Sequence, residues 1–414
     1  MALVCTVLLG VLAVPILYLT KCLLSKEVAP VNGVYSQPGP WYTIKFWIFY
    51  AIFKLRHLKS QQSRNKKSGH AGYGMKSRSN IADMDKVQIL PDVKEHPKAV
   101  DAVYFNGGDG KGTFVVAATA RRQNNLIQTI LYIRIPDIGL LEIPSLPDTH
   151  LISPVENSYS AGGLLIEPVE PMKTWKISFT GELRLTNLEG EISFVKSSFE
   201  FAWTALHETY FDFDTDLHWA TICDAIAREK WSSEFFKGLK EAHQTHYEQF
   251  GEIKGIIEME GFENRQISVK GVRDHSYGNI RDWSDLYRYG IQYFHLANGS
   301  SVCIGTICFP ITFTRLIMGY VVQPDGKINV VSQSDFELHK WGEDGTPPLL
   351  FNINFVAGGK KYSMECQQED AAIFFIGHDR AARIHERFCN FKLNGVRGWG
   401  ISEWDYRNIE KFQI

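Results

Sequence analysis

Gln292-Tyr-Phe-His-Leu-Ala-Asn-Gly-Ser-Ser-Val-Cys-Ile-Gly-Thr-Ile-Cys-Phe309 decides the fold. Two apolar-rich runs, Gln292–Leu296 and Ser301–Phe309, meet across Ala297-Asn-Gly299, the composition of a hairpin turn. The pattern recurs outward. Leu316–Val322 and Ile328–Val331 flank Pro324-Asp-Gly326, and Leu349–Val356 and Tyr362–Cys366 flank Gly358-Gly359. Ala102–Phe105 and Thr113–Ala118 flank a glycine loop. Trp175–Phe179 and Phe199–Trp203 alternate apolar and polar positions. Closely spaced strands broken by turn residues are the signature of antiparallel sandwiches and barrels. Aromatic content of 13%, with 26 Phe, 17 Tyr and 10 Trp, suits β-structure or an apolar cavity. One helical stretch, about 220–250, interrupts the strands and is expected to link two lobes.

A chain of 414 residues is too long for one small domain. The expected fold class is all-β: two lipocalin-like antiparallel β-lobes, barrel or sandwich, with a linking helix and a preceding N-terminal transmembrane helix. The expected division is 1–24 as anchor, 25–86 as juxtamembrane linker, 87–247 as first lobe with its helix, and 248–414 as second lobe. Gly271–Trp283 weakly echoes Gly395–Trp404, which suggests paired elements of one lobe.

Met1–Thr20 carries no charged side chain, and Ala2–Leu24 is long enough to cross a bilayer core, which takes about 20 helical residues. Positive charge follows the run instead of preceding it, which favours an uncleaved anchor over a signal peptide and places the body on the cytosolic side. The endoplasmic reticulum is the expected compartment. Trp41–Leu58 reads as an imperfect amphipathic helix lying in the headgroup layer, with Lys45, Arg56 and Lys59 on one face and Lys54 opposite. From Lys45 to Ser79 there are nine Lys or Arg and no acid, so anionic lipid is an expected partner. The net charge of −2 argues against a general nucleic-acid binder. The seven cysteines lack the spacing of a zinc site or a disulfide framework.

Chemistry is harder to find. The loop Gly107–Thr113 lacks phosphate-loop spacing, and Phe211–Asp216 lacks the glycine and glutamate of a calcium loop. His243 and His246 read as a solvated pair. No metal or cofactor is expected. The densest polar cluster is Arg273-Asp-His-Ser-Tyr-Gly-Asn-Ile-Arg-Asp-Trp283. In a strand, Arg273 and His275 face one side and Asp274 the other. Two readings stand. Either Arg273, Asp274, Arg281, Asp282 and Trp283 clamp a bend permitted by Gly278, or Asp274 and His275 are acid–base groups.

His246-Tyr-Glu-Gln-Phe-Gly-Glu-Ile-Lys-Gly255, Glu260-Gly261 and Gly271-Val-Arg-Asp-His-Ser-Tyr-Gly278 resemble the carotenoid 1,2-hydratase and AttH-like family. Survival-factor-1-like lipid-binding proteins fall in the same broad group, and Trp175–Leu183 and Gly398-Trp-Gly-Ile-Ser-Glu403 fit it. With the N-terminal segment, the chain looks like the front part of animal phosphoenolpyruvate-synthase-like proteins. The resemblance implies two lipocalin-like lobes around a hydrophobic cavity. His275 and Tyr277 match motif positions; Tyr293 and His295, on the following strand, join them as expected ligand-facing residues. That strand carries no carboxylate, although the hydratases use an acid there. The leading expectation is a membrane-anchored binding module for a lipid or isoprenoid-type small molecule. The alternatives are a hydratase or lyase acting on such a ligand, or an accessory domain related to the phosphotransferases without their catalytic part.

Overall fold

The computed structural model describes residues 16–62, 81, 84–241 and 244–408. The first lobe contains β1 (Val100–Gly108), β2 (Phe114–Arg121), β3 (Leu126–Ile135), β4 (Gly139–Glu142), β5 (His150–Ile152), β6 (Tyr159–Ala161), β7 (Leu164–Glu170), β8 (Thr174–Thr186), β9 (Ile192–Ala205) and β10 (Phe211–Asp212). Two short helices follow, then β11 (Thr245–Met259) and β12 (Arg265–Gly278), which return to the same sheet. Its antiparallel pairings run β1–β2–β3–β4–β8–β9–β11–β12 and back to β1, so the sheet closes on itself. The other four strands attach at its margins.

The second lobe is a closed eight-stranded meander: β13 (Arg288–Leu296), β14 (Ser301–Phe309), β15 (Phe313–Val322), β16 (Ile328–Ser334), β17 (Leu350–Ala357), β18 (Lys360–Ile376), β19 (Ala382–Leu393) and β20 (Val396–Arg407). The expected hairpins are present, and antiparallel closure gives barrels in place of a sandwich. Closure removes the exposed edges that an open sheet would present.

The division expected at 247/248 falls inside β11. The chain leaves the first barrel only after Gly278. The expected helix is two helices, α2 (Trp219–Arg228) and α3 (Ser233–Glu241), following α1 (Tyr42–Gln62). In α2, the side-chain nitrogen of His218 caps the first turn by accepting from the Ala220 amide at 3.2 Å, and Ile222, Cys223 and Ile226 bury one stripe. Residues 245–250 are strand, because alternation governs there: Tyr247 and Gln249 point inward, Glu248 and Phe250 toward the other barrel. The two echoing motifs fall in different barrels, but Gly271 lies within β12 and Gly395 in the β19–β20 turn.

Both interiors are packed with side chains. Phe105, Trp175 and Trp203 fill the first barrel; Phe294, Ile353, Met364 and Trp404 fill the second. The barrels also pack on each other, with Phe114 stacked on Phe388 at 5.1 Å. Most of Ala2–Leu24 lies outside the described residues. Among the described residues no helix is long and apolar enough to cross a membrane. Residues 16–24 are helical and mostly exposed. Cys5 is outside the described residues; the other six cysteines are unpaired and buried.

Candidate functional site

The strand β12 carries polar side chains on both faces. Inward, Arg273 is fully buried and forks onto Asp85 at 2.6 and 3.1 Å. It also donates to Gln249 at 3.1 Å and lies over the rings of Trp175, Trp203 and Tyr247. Asp85 further accepts from the Met172 amide, the Trp175 indole and the Tyr247 hydroxyl. Two residues on, His275 is equally buried. Its Nε2 lies 2.7 Å from Asp101 Oδ1 and its Nδ1 2.7 Å from the Tyr247 hydroxyl. Asp101 also receives Arg121 at 2.7 Å and Tyr159 at 2.9 Å. The acids that pair with Arg273 and His275 are Asp85 and Asp101, not Asp274. Alternation sends Asp274 to the opposite face, where it cannot meet Arg273 head on.

Outward, Asp274 stands directly across from Glu248 of β11. Like charges in directly opposed strand positions repel, so such a pair is retained at a cost. The second barrel repeats the arrangement: Glu386 of β19 is directly across from Glu403 of β20. Both pairs lie on the faces where the barrels meet, and Asp274 and Glu403 sense each other's charge. Glu248 is buried and accepts from Tyr293 at 3.1 Å and Tyr320 at 2.8 Å, each from the other barrel. His246 Nε2 lies 3.0 Å from Glu248. Tyr289 donates to Glu403.

This environment shifts titration. Burial pushes the Asp274 carboxyl up to about 6, with Glu248 adding and His246, Arg281 and Arg273 opposing. Burial and the neighbouring Glu403 push Glu386 well above the usual carboxylate range, and Glu403 is raised too. Tyr104 and Glu403 are the groups that Glu386 faces, the first favouring its ionised form and the second its protonated form. Protonation of one carboxyl lets the two hydrogen-bond each other, which raises proton affinity at this pair. Burial raises Asp405 as well. Burial alone would lower His246, but Glu248 and Asp274 outweigh it and raise the ring. The layer therefore gathers carboxyl groups whose proton affinity is raised by burial among apolar side chains, including Ile291 and Ile307. Asp274, Glu403 and Tyr104 keep accessible surface within it.

The remaining sequence candidates scatter. Tyr293 belongs to the layer through Glu248. Tyr277 is half-buried against His275, ring centres 5.2 Å apart. His295 is buried, 2.9 Å from the Ser301 hydroxyl, and burial pushes it down to about 4. Arg281 donates to Gln244 at 2.6 Å, Asp282 pairs with Lys98 at 2.5 Å, and Trp283 packs over Gly377. Gly278 sits against Gln244, where a Cβ would come within 2.8 Å of its side chain. The side chains of Asp212 and Asp216 cap their own turn. His243 lies outside the described residues. Among the described residues no group of three or more His, Cys, Asp or Glu is arranged to hold a metal ion. A surface depression of about 610 Å³ lies at the rim of β8, β9 and β11, lined by Glu182, Lys196 and Glu258 among others. Its lining is mostly exposed and shares no residue with the carboxyl layer. Sequence reasoning missed Glu248, Glu386 and Glu403, whose meaning depends on register across strands.

Fold and site together define a double antiparallel β-barrel protein with an acidic layer between its barrels. The chain belongs to a family of unknown function (DUF8627), whose model matches residues 8–406. No curated protein matches it in sequence. Solved structures that align with it include an AttH-assigned protein from Nitrosomonas europaea, CghA, and kievitone hydratase from Nectria haematococca. The first is 10% identical over 75% of this chain and 93% of its own, with a TM-score of 0.46. The second is 11% identical over 75% and 88%, at 0.45, and the third 12% over 82% and 97%, at 0.43. At these identities and scores they establish nothing about what this chain binds or converts. Nothing in the comparisons adds to the resemblance to phosphoenolpyruvate-synthase-like proteins.

Proposed function

We propose that the protein is an acid–base enzyme of the hydratase or lyase kind, acting on an unsaturated hydrophobic ligand held between the barrels. The observation that carries this reading is the pair of like-charged strand couples, Glu248 with Asp274 and Glu386 with Glu403, turned toward each other. Burial raises Asp274 to about 6, so a fraction of it carries a proton near neutral pH, and burial with Glu403 raises Glu386 well above the usual carboxylate range. In hydration, the Asp274 carboxyl gives its proton to one carbon of a double bond. Water adds to the cation left on the other carbon and releases a proton to a carboxylate of the same layer. Transfer within the layer restores Asp274, and the reverse sequence is dehydration. The sequence-based alternative that placed acid–base work in Asp274 is retained; its partner becomes Glu248 in place of His275.

The test is exchange with solvent. The full chain is incubated in D2O with a panel of isoprenoid alcohols and unsaturated fatty acids, and products are read by mass spectrometry. Deuterium or solvent oxygen should enter at least one ligand, and Glu248→Gln and Asp274→Asn should each reduce the rate at least a hundredfold, the usual scale for losing a general acid or base. If a hydrophobic ligand co-purifies but never acquires solvent atoms, the protein is a binding module and the enzyme reading fails.

A further inference from the structure

The helix α1 is apolar on both sides, and the protein covers only one. Its inner side packs on α2 and β15: Phe49 and Phe53 are buried with Ile222, Ile226 and Leu316. Tyr50 sits 4.6 Å from the Trp219 ring, and Tyr42 donates to Asp224 at 2.5 Å. Lys45 also belongs to this inner side, where its ammonium donates to the Glu229 carbonyl at 2.8 Å. The lysine-bearing face of the expected amphipathic helix thus points partly into the protein. The outer side presents Trp47, Ile48, Ile52 and Leu55, which are 56%, 45%, 37% and 59% exposed. At 100° per residue these four fall in one stripe. A surface helix normally offers polar groups there, and a contiguous bare apolar stripe marks an interaction surface.

We propose that the outer stripe of α1 seats on an anionic lipid bilayer, with the helix axis in the membrane plane. Charge selects this occupant. Nine basic residues and no acid occur from Lys45 to Ser79, so the chain that carries the stripe and follows it is strongly positive. A second copy of the chain would bring the same positive block against itself, whereas anionic headgroups neutralise it. Residues 16–24 add Leu17, Leu23 and Leu24, also exposed, to the apolar surface of the N-terminal region. Trp47 supplies the ring that favours the boundary between headgroup and acyl chain. The apolar cluster beneath α1 continues through α2 to Tyr293 and Tyr320, the residues that bond Glu248. That packed cluster is the line of side-chain contact between α1 and the acids.

The test uses the full chain with spin labels on Ile48→Cys and Ile52→Cys, and on Lys254→Cys of β11 as reference. Vesicles are phosphatidylcholine with or without phosphatidylserine. On the serine-containing vesicles, labels at 48 and 52 should become accessible to oxygen and shielded from an aqueous nickel chelate, while 254 stays aqueous. Lys54→Glu with Arg56→Glu and Lys59→Glu should weaken the phosphatidylserine-dependent part of binding on the order of a hundredfold, at about one kcal/mol per basic residue. Labels at 48 and 52 that remain aqueous on vesicle-bound protein overturn the proposal, as does immobilisation of those labels in a dimer without lipid. Neither outcome bears on deuterium incorporation, so this inference and the enzyme reading fail separately.

Discussion

Two polar clusters lie back to back on β12, separated by the thickness of one strand, and they differ in what each acid faces across the strands. The inward one pairs each acid with a cation or donor: Asp85 with Arg273, Asp101 with Arg121 and His275. The outward one sets acid against acid, Glu248 across from Asp274. A buried network with all partners in place fixes one conformation, whereas opposed like charges cost stability and hold protons near neutral pH. On the proposed reading, structure falls to one face and chemistry to the other, in a run where sequence alone left both open.

The sharpest way to break that assignment is Arg273→Leu. It leaves Asp85 buried without its cation, so it should cost about 3–5 kcal/mol and lower the melting temperature by about 10 °C. Calorimetry on the full chain measures it, and a near-neutral result would remove the inward face as the structural one. His275→Gln should cost less, about 1–3 kcal/mol, since Asp101 keeps Arg121 and Tyr159. If that variant folds normally yet stops solvent exchange into ligand, His275 belongs to the chemistry and the division of faces is wrong.

Asp274→Asn should move stability the other way and by least. The folded pKa of Asp274, about 6, lies above its ordinary 3.8. The native state therefore binds this proton more tightly than the unfolded chain, and the wild type loses stability as pH rises from about 4 to 6. The asparagine variant avoids that loss. It should be more stable by about 1–2 kcal/mol at pH 7–8, and the difference should vanish below about pH 4. Denaturant titrations across that range decide it; a destabilised variant at pH 8 would return Asp274 to the clamp.

Much of this was readable in the sequence. Period-two alternation gave the hairpins and correctly put Arg273 and His275 on one side with Asp274 on the other. The partners were not readable, because Asp85 precedes the strands and Asp101 lies on β1, next to β12 in space but distant in chain. Glu248 was closer to hand. The β11–β12 hairpin turns near Gly261, and counting outward from Ile257 across from Arg265 brings Glu248 opposite Asp274. A helical reading extended to residue 250 concealed that count. The Glu386–Glu403 couple could have been found likewise from the Asn394–Gly395 turn, where both residues adopt positive φ as a tight hairpin requires.

The return of β11 and β12 to the first barrel sets an order of events during folding. The strand β1 finds one of its two neighbours within a few residues, but the other, β12, lies beyond two helices. The second barrel joins each strand to the next and needs only one distant pairing, β13 with β20. Pairings between remote segments are slow, because the loop must close before contacts reward it. A growing chain therefore carries an unfinished first barrel, with the edge of β1 bare and Asp85 and Asp101 lacking Arg273 and His275, until β12 emerges. The same strand that carries Asp274 is the latch whose arrival completes the domain begun first.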